Sequence, residues 1–331
     1  MISIVIPNYN CANLLEKNLP TLIKLLDQSK LEYEIIICDD ASTDNSLEML
    51  KKFQHDTCVI PAKAGIYKKI NYKLSIINSK LNTGFGANVD RGIRESVGEI
   101  VFILNAIDLL PEKSDYFKLM LDHFKNKDVF SVGALKREKD DHGCGEIYFE
   151  KGFYLHRRRH PGAFSSSWSP VPRHPGTSEA SDRIYSGKKI LSAAVGGFQN
   201  DAYTDWADGG AQAIRKEYYE KIGGFDPKYF LYWEDVDLGF RAWKAGYKIV
   251  FEPKAVLIHQ KNEGPIAKRF SENEIRKLNI KNQIYFTWKN SDLKHKLLFL
   301  FWLPYHLAIS LKNHDWLFFK AIISPLAPTN E

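Results

Sequence analysis

The chain has 331 residues, 44% of them hydrophobic and 26% charged, which excludes a disordered or fibrous protein and allows one large α/β domain or two smaller ones. Its 46 basic and 40 acidic residues leave a formal charge of +6. That bias is too slight to imply a nucleic-acid partner, but it is compatible with phosphorylated substrates or an anionic membrane face.

The segment ISIVIP at residues 2–7 is short, apolar and β-branched, which predicts a buried strand, and no basic leader of a secretory signal precedes it. Apolar positions at helical spacing over 14–26 predict a helix. YEIIICDD at 33–40 predicts a second buried strand ending in the polar turn DDASTDNS, and SLEMLKKF behind it reads as helix. Residues 58–73 lengthen the next connection without an obvious element, so a surface insertion is expected there. GFGAN at 84–88 predicts a turn into a helix that carries Arg91 and Arg94, and GEIVFILN at 98–105 predicts a third apolar strand. Strand–helix alternation of this kind predicts a parallel sheet covered on both faces, with ligands beyond the carboxyl ends of the strands. Those ends fall at Asn8, at Asp39 and Asp40, and at Asn105 with Asp108. Carboxylates and amides thus gather on one edge.

Residues 156–182 are rich in Pro, Ser, Gly and Arg and cannot build a core, so a second surface insertion is expected. Its triple arginine at 157–159 reads as solvated charge or as a clasp for phosphate. Further on, YFLYWEDVDLGFRAWKAGYKI at 229–249 sets Glu234, Asp235 and Asp237 behind a run of aromatic rings. Val236, Phe240 and Trp243 follow at helical spacing, and acids in a first turn suit the positive end of a helix. One cap needs one acid, and here there are three. AVLIHQ is an apolar run that ends at His259. Near the C-terminus, LLFLFWLPYHLAISL at 297–311 is shorter than the roughly 20 residues a spanning helix needs. Lysines flank it, with Trp302, Tyr305 and Trp316 nearby. Two readings stay open: a segment over 294–316 lying in a membrane interface, or a C-terminal helix packed on the domain. The four cysteines, Cys11, Cys38, Cys58 and Cys144, show neither a CxxC pair nor zinc spacing, so free thiols in a reducing cytoplasm are expected.

Four blocks, ISIVIPNYN, YEIIICDDASTDNS, LNTGFGANVDRGIRESVGEIVFILN and GGFDPKYFLYWEDVDLGFRAWKAGYKIVFEPKAVLIHQ, stand in the order found in family 2 glycosyltransferases. The chain most resembles the bacterial rhamnosyltransferase-like, cell-surface polysaccharide branch, over residues 1–105 and about 208–264. The resemblance implies an α/β GT-A nucleotide-diphospho-sugar transferase fold, with a Rossmann-like, mostly parallel central sheet. It implies a catalytic domain over 1–265, with a nucleotide-binding half at 1–110 and an acceptor half at 183–265, followed by a helical segment at 266–331. The implied activity is inverting transfer of a sugar from a UDP- or dTDP-linked donor to a hydroxyl of a glycan or lipid-linked acceptor. The implied setting is cytoplasmic, peripheral on the inner face of the plasma membrane. The oligomeric state is not indicated.

Carried over residue by residue, the resemblance makes Asp235 the general base, with Glu234 orienting sugar hydroxyls and Asp237 left to cap its helix or pair with Arg241. It places Pro7, Asn8, Asp39, Asp40, Gly84, Gly86, Arg91 and Asn105 around the donor, and Trp233, Gly209 and Gly210 at the acceptor. Ser42, Thr43 and Asp44 look sufficient for the turn after the second strand, which would free Asp39 and Asp40 for binding. Asn105, Asp108 and His259 would hold a divalent cation, Mn²⁺ or Mg²⁺. Here the sequence departs from the family pattern. The third strand should end in Asp-x-Asp or Asn-x-Asp, yet Ile107 occupies the metal-binding position and the acid comes one residue later, at Asp108. In an extended chain a one-residue slip turns a side chain to the opposite face. Either a turn brings Asp108 round, or the protein is a degenerate module that binds a nucleotide sugar or glycan with little catalysis. A dinucleotide-dependent oxidoreductase is disfavoured, since no GxGxxG follows the first strand.

Overall fold

The computed structural model describes residues 1–56, 73–105, 108–138, 141–158, 203–259 and 269–323. The first half contains β1 (Ile2–Asn8), α1 (Ala12–Ser29), β2 (Tyr33–Asp39), α2 (Ser46–Asp56), β3 (Lys73–Asn78), α3 (Phe85–Glu95) and β4 (Ile100–Leu104). β1, β2 and β4 are buried from end to end, as continuous apolar runs require when helices cover both faces of a parallel sheet. β1 runs parallel between β2 and β4, with Asn8 level with Asp39. β3 adds parallel to β2 at the outer edge. The insertion expected at 58–73 lies outside the described residues except for Lys73, which opens β3.

The second half contains β5 (Leu109–Pro111), α4 (Tyr116–His123), β6 (Val129–Arg137), β7 (Cys144–Glu150), β8 (Phe153–Arg158), β9 (Trp206–Ala207), β10 (Ala211–Arg215), α5 (Lys216–Lys221), α6 (Glu234–Lys244), β11 (Lys248–His259), α7 (Glu272–Asn290), α8 (Leu293–Lys312) and α9 (Trp316–Ile323). The main sheet has the order β3-β2-β1-β4-β10-β6-β11-β5, and β8-β7-β9 form a small antiparallel sheet. Residues 156–158, expected in the second insertion, instead complete β8, while 159–202 lie outside the described residues.

Alternate strand residues go to opposite faces and build two cores. Ile4, Ile6, Ile35 and Ile37 meet Leu15, Leu19 and Leu22 of α1, whereas Val5 and Ile36 meet Val89 and Ile93 of α3. A third cluster joins Trp206, Tyr229, Trp233 and Phe240 to Phe286 of α7, so the C-terminal helices are fastened to the acceptor half through α7. Cys11, Cys38 and Cys144 are buried and form no disulfide among the described residues; Cys58 lies outside the described residues.

Two antiparallel pairings position the site. β10 fits between β4 and β6, so the end of β4 meets the start of β10, and the Asn105 N–H donates to the Gly210 carbonyl at 3.0 Å. β11 pairs with β5 so that His259 lies level with Leu109, next to Asp108. Strand ends that are far apart in the chain are thereby brought to one edge.

Candidate active site

At the carboxyl ends of β1 and β2, the acids build the frame. Asn8 Nδ2 donates to Asp39 Oδ2 at 2.6 Å, and Asp39 Oδ1 accepts the Ser42 N–H at 2.9 Å. Asp39 itself therefore makes the turn, which corrects the expectation that Ser42, Thr43 and Asp44 suffice. Asp40 accepts from the N–H groups of Thr83 and Gly84, from the Thr83 hydroxyl and from Arg91 Nη2. Both carboxylates are buried. Asp40 holds the LNTGFGAN turn against β2, while Asp39 holds Asn8 and the turn after β2, and the partly exposed Arg91 is engaged by Asp40 and Asn88. Pro7 is buried in β1 beside Asn8, whose Oδ1 is buried without a hydrogen-bond partner.

The glycine turn leans directly on the loop before α6. The Phe85 N–H donates to the Phe230 carbonyl at 3.0 Å. Gly84 has φ +87°, and a Cβ there would stand 2.1 Å from the same carbonyl oxygen, so only glycine fits. Gly86 lies against Glu234, where a Cβ would meet the side chain at 3.4 Å.

Tyr232 and Trp233, at φ 67° and 72°, are two successive left-handed residues immediately before α6. Such backbone is costly for side chains of this size and persists only where its surroundings over-determine it. Asn282 of α7 supplies that constraint, donating through Nδ2 to the carbonyls of Leu231 (2.8 Å) and Tyr232 (2.9 Å). The Trp233 ring is 5% exposed and packs on Phe286 and His156. An open ring face for a sugar is therefore not what Trp233 offers; its burial fixes the entry to α6.

The three acids of α6 point to three different fates. Asp237 is fully buried and structural: it accepts from Arg241 Nε (2.7 Å), Lys289 Nζ (2.9 Å) and Asn290 Nδ2 (3.0 Å). Glu234 is buried with Oε2 unpartnered, and burial, reinforced by the charges of Asp235 and Asp208, pushes its pKa well up. Burial thus favours the protonated form of Glu234, which can donate a hydrogen bond. Asp235 alone of the three is partly open to solvent. Its Oδ2 accepts the Gly209 N–H at 3.1 Å and its Oδ1 the Val236 N–H at 2.8 Å. Desolvation and then Asp208 raise its pKa, those two N–H groups and Arg158 oppose the rise, and the result is about 6. Asp235 is ionised at neutral pH yet more basic than an ordinary aspartate.

Asp208 completes the cluster. Its Oδ2 lies 3.1 Å from Lys136 Nζ, and its Oδ1 accepts the Gly210 N–H at 3.1 Å. Burial pushes its pKa up, but the Lys136 ion pair outweighs burial and leaves it low. Gly209 and Gly210 are small because protein fills the space. A Cβ on Gly209 would stand 3.0 Å from Phe85 and 3.3 Å from Asp235, and one on Gly210 only 2.4 Å from Asn105 Cβ.

Asp108 is placed beside His259. The Asp108 N–H donates to the Asn105 carbonyl at 3.1 Å, so the chain turns between β4 and β5; Ile107 lies outside the described residues. Asp108 Oδ2 then stands 3.3 Å from His259 Nε2, while Oδ1 is buried without a hydrogen-bond partner. His259 Nδ1 is engaged by Glu138 Oε1 at 2.6 Å. The hydrogen bond to Asp108 and the charges of Asp108 and Glu138 raise the His259 pKa.

Residues 3–162 match the model of Glycosyl transferase family 2. The match covers just under half of the chain, and over that span the chain resembles glycosyl transferase family 2. It is 45% identical over 56 residues to the N-acetylglucosaminyl-diphospho-decaprenol L-rhamnosyltransferase of Mycobacterium tuberculosis, a match covering 17% of this chain and 18% of that protein. Its fold is similar to that of the mannosyltransferase PcManGT from Pyrobaculum calidifontis, solved with GDP-Man and Mn²⁺, with TM-score 0.54 at 18% identity over 97% of this chain and 72% of that one. It is similar also to S. aureus TarS 1–349 with UDP-GlcNAc, with TM-score 0.53 at 16% identity over 97% and 79%. These likenesses show a GT-A fold. The family match ends before α6, so the assignment of Asp208, Glu234 and Asp235 rests on geometry.

The donor set at Asp108 and His259 fits a divalent cation in part. Asp108 Oδ2 faces the His259 Nε2, the second carboxylate oxygen, Oδ1, is buried with no hydrogen-bond partner among the described residues, and the other ring nitrogen is oriented by a carboxylate, the usual support of a metal-ligating histidine. No cluster of three His, Cys, Asp or Glu ligands is gathered among the described residues. Asn105 joins this corner through its backbone. Lys136, Glu138, Asp208 and Asn282 were not singled out from sequence. Asp208 had a local signal, an acid directly before Gly209 and Gly210, whereas the others reach the site only through the packing of β6 and α7.

Proposed function

We propose that this protein is an inverting glycosyltransferase that moves a sugar from a nucleotide-diphosphate donor to a hydroxyl of a glycan or lipid-linked acceptor, in cell-surface polysaccharide synthesis. One observation carries the reading: a partly open, ionised Asp235 with raised basicity, next to the Gly209–Gly210 turn that touches Asn105 at the end of β4. A carboxylate in that state can take the acceptor's proton as its oxygen attacks the anomeric carbon opposite the nucleotide. Glu234, whose pKa burial and the charges of Asp235 and Asp208 raise, would donate a hydrogen bond to a sugar or acceptor oxygen in its protonated form. Lys136 and Arg158 hold the field that keeps Asp208 and Asp235 ionised. Asp108 and His259 would hold a divalent cation, whose chemistry is to neutralise charge on a departing diphosphate.

A binding module with little turnover is the second reading, favoured by the two-ligand donor set and by Ile107. Thermal-shift titration with UDP, dTDP, GDP and their sugars, with and without Mn²⁺ or Mg²⁺, separates the two when paired with a transfer assay. The transferase reading expects cation-dependent stabilisation by one nucleotide class together with turnover; stabilisation without turnover favours the module. By calorimetry, Glu138→Gln is expected to weaken Mn²⁺ binding about 10–100-fold, as loss of an orienting carboxylate does, and Asp108→Asn at least as much. Unchanged Mn²⁺ affinity in both variants would exclude this corner as the metal site.

A further inference from the structure

We propose that α8 docks flat on an anionic lipid bilayer. Surface helices of soluble proteins turn a polar stripe outward; α8 does not. Leu293, Leu297, Leu300, Phe301, Tyr305 and Ile309 recur at helical spacing on one side and are exposed, with Leu293 and Phe301 at 74%. The opposite side is occupied: Phe299 and Ser310 are buried, Phe299 packs on Phe153, and the His306 ring donates through Nε2 to the Lys151 carbonyl at 2.8 Å. The outward face is therefore apolar along a helix of 20 residues, about 30 Å at 1.5 Å per residue. No helix among the described residues is long and apolar enough to cross a membrane.

Charge and ring placement choose the occupant. Lys294 and Lys312 are exposed at the two ends of that face. Lys296 lies over the ring of Trp288, which is itself exposed, as is Trp316 at the start of α9. Apolar residues in the middle, with lysine and tryptophan at the margins, match a bilayer interface carrying anionic headgroups. A second protein copy would need no basic rim.

The surface is also placed on the acceptor side. β8 starts at Phe153, against α8, and ends at Arg158, whose charge acts on Asp235 and Asp208, a path of about 16 Å at 3.3 Å per residue. A helix resting on lipid would hold the cluster within reach of a hydroxyl carried on a membrane-anchored chain. That last step rests on the proposed transferase reading; the docking itself does not.

The test is co-sedimentation of the full chain with vesicles of phosphatidylcholine alone or mixed with phosphatidylglycerol, without any nucleotide sugar, so that failed turnover and failed docking remain separate results. The expected result is binding to the mixed vesicles and weak binding to the neutral ones. Leu297→Asp with Phe301→Asp should lower the partition coefficient on the order of a hundredfold. Should that variant misfold, Lys294→Gln with Lys312→Gln gives a separate readout, about fivefold lost per lysine. Three results would overturn the proposal: no binding to either vesicle, equal binding to both, or a self-association in sedimentation velocity that Leu297→Asp with Phe301→Asp abolishes while vesicles bind neither form.

Discussion

Asp235→Asn is expected to lower kcat by about 10²–10⁴-fold, the usual worth of a positioned general base, while the affinity for the donor nucleotide stays close to wild type. The amide keeps the size of the carboxylate and one acceptor oxygen, so one of the two N–H groups of Gly209 and Val236 retains its partner. Losing the other costs about 1 kcal/mol, too little to unfold the chain. Transfer kinetics alongside nucleotide binding read the two quantities separately. Comparable loss of binding and turnover would instead make Asp235 a structural acid.

Asp237→Ala should behave in the opposite way, although it lies two residues along the same helix. Its carboxylate is fully buried and holds Arg241 of α6 and Lys289 and Asn290 of α7. Removing one member of a buried ion network costs about 3–5 kcal/mol, because the partners stay behind without their counter-charge. Arg241 keeps its bonds to the carbonyls of Ile222 and Gly224, and Lys289 keeps Asp226, so the lower end of that range is expected. Urea unfolding measures the stability, and kcat per folded molecule should fall far less than in Asp235→Asn. The same short acidic run thus contains one partly open acid, one buried acid with a raised pKa, and one buried acid that ties two helices together.

The sequence declared the strands of the nucleotide half because each is a continuous apolar run that ends in polar residues, and β1, β2 and β4 fall within a residue or two of the expected places. β3 was missed: it has six residues, follows a stretch without periodicity, and lies at the sheet edge with its apolar residues only partly buried. β7 and β8 were missed for a different reason. Their polar exposed residues, Arg157 among them, have the composition of a loop, and only pairing with each other and packing on α8 and Trp233 makes them strands. At the site, the roles of Asp39 and Asp40 could not be read locally, since what occupies Asp40 is a turn more than forty residues away. The place of Asp108 beside His259 was equally invisible. It depends on an antiparallel pairing of β5 with β11 that brings His259 across from a distant part of the chain. Asn282 is the clearest case: nothing in α7 marks it, yet it holds the strained pair that delivers Glu234 and Asp235.

The most direct measurement is the pH dependence of kcat in wild type and in Asp208→Asn. A base must be ionised to act, so the wild-type rate should climb with pH through a midpoint near 6 and level off at higher pH. Removing the negative charge of Asp208 makes ionisation of Asp235 easier, and the midpoint should move to lower pH. A flat profile across that range, or a limb that Asp208→Asn leaves in place, would contradict the assignment of proton transfer to Asp235.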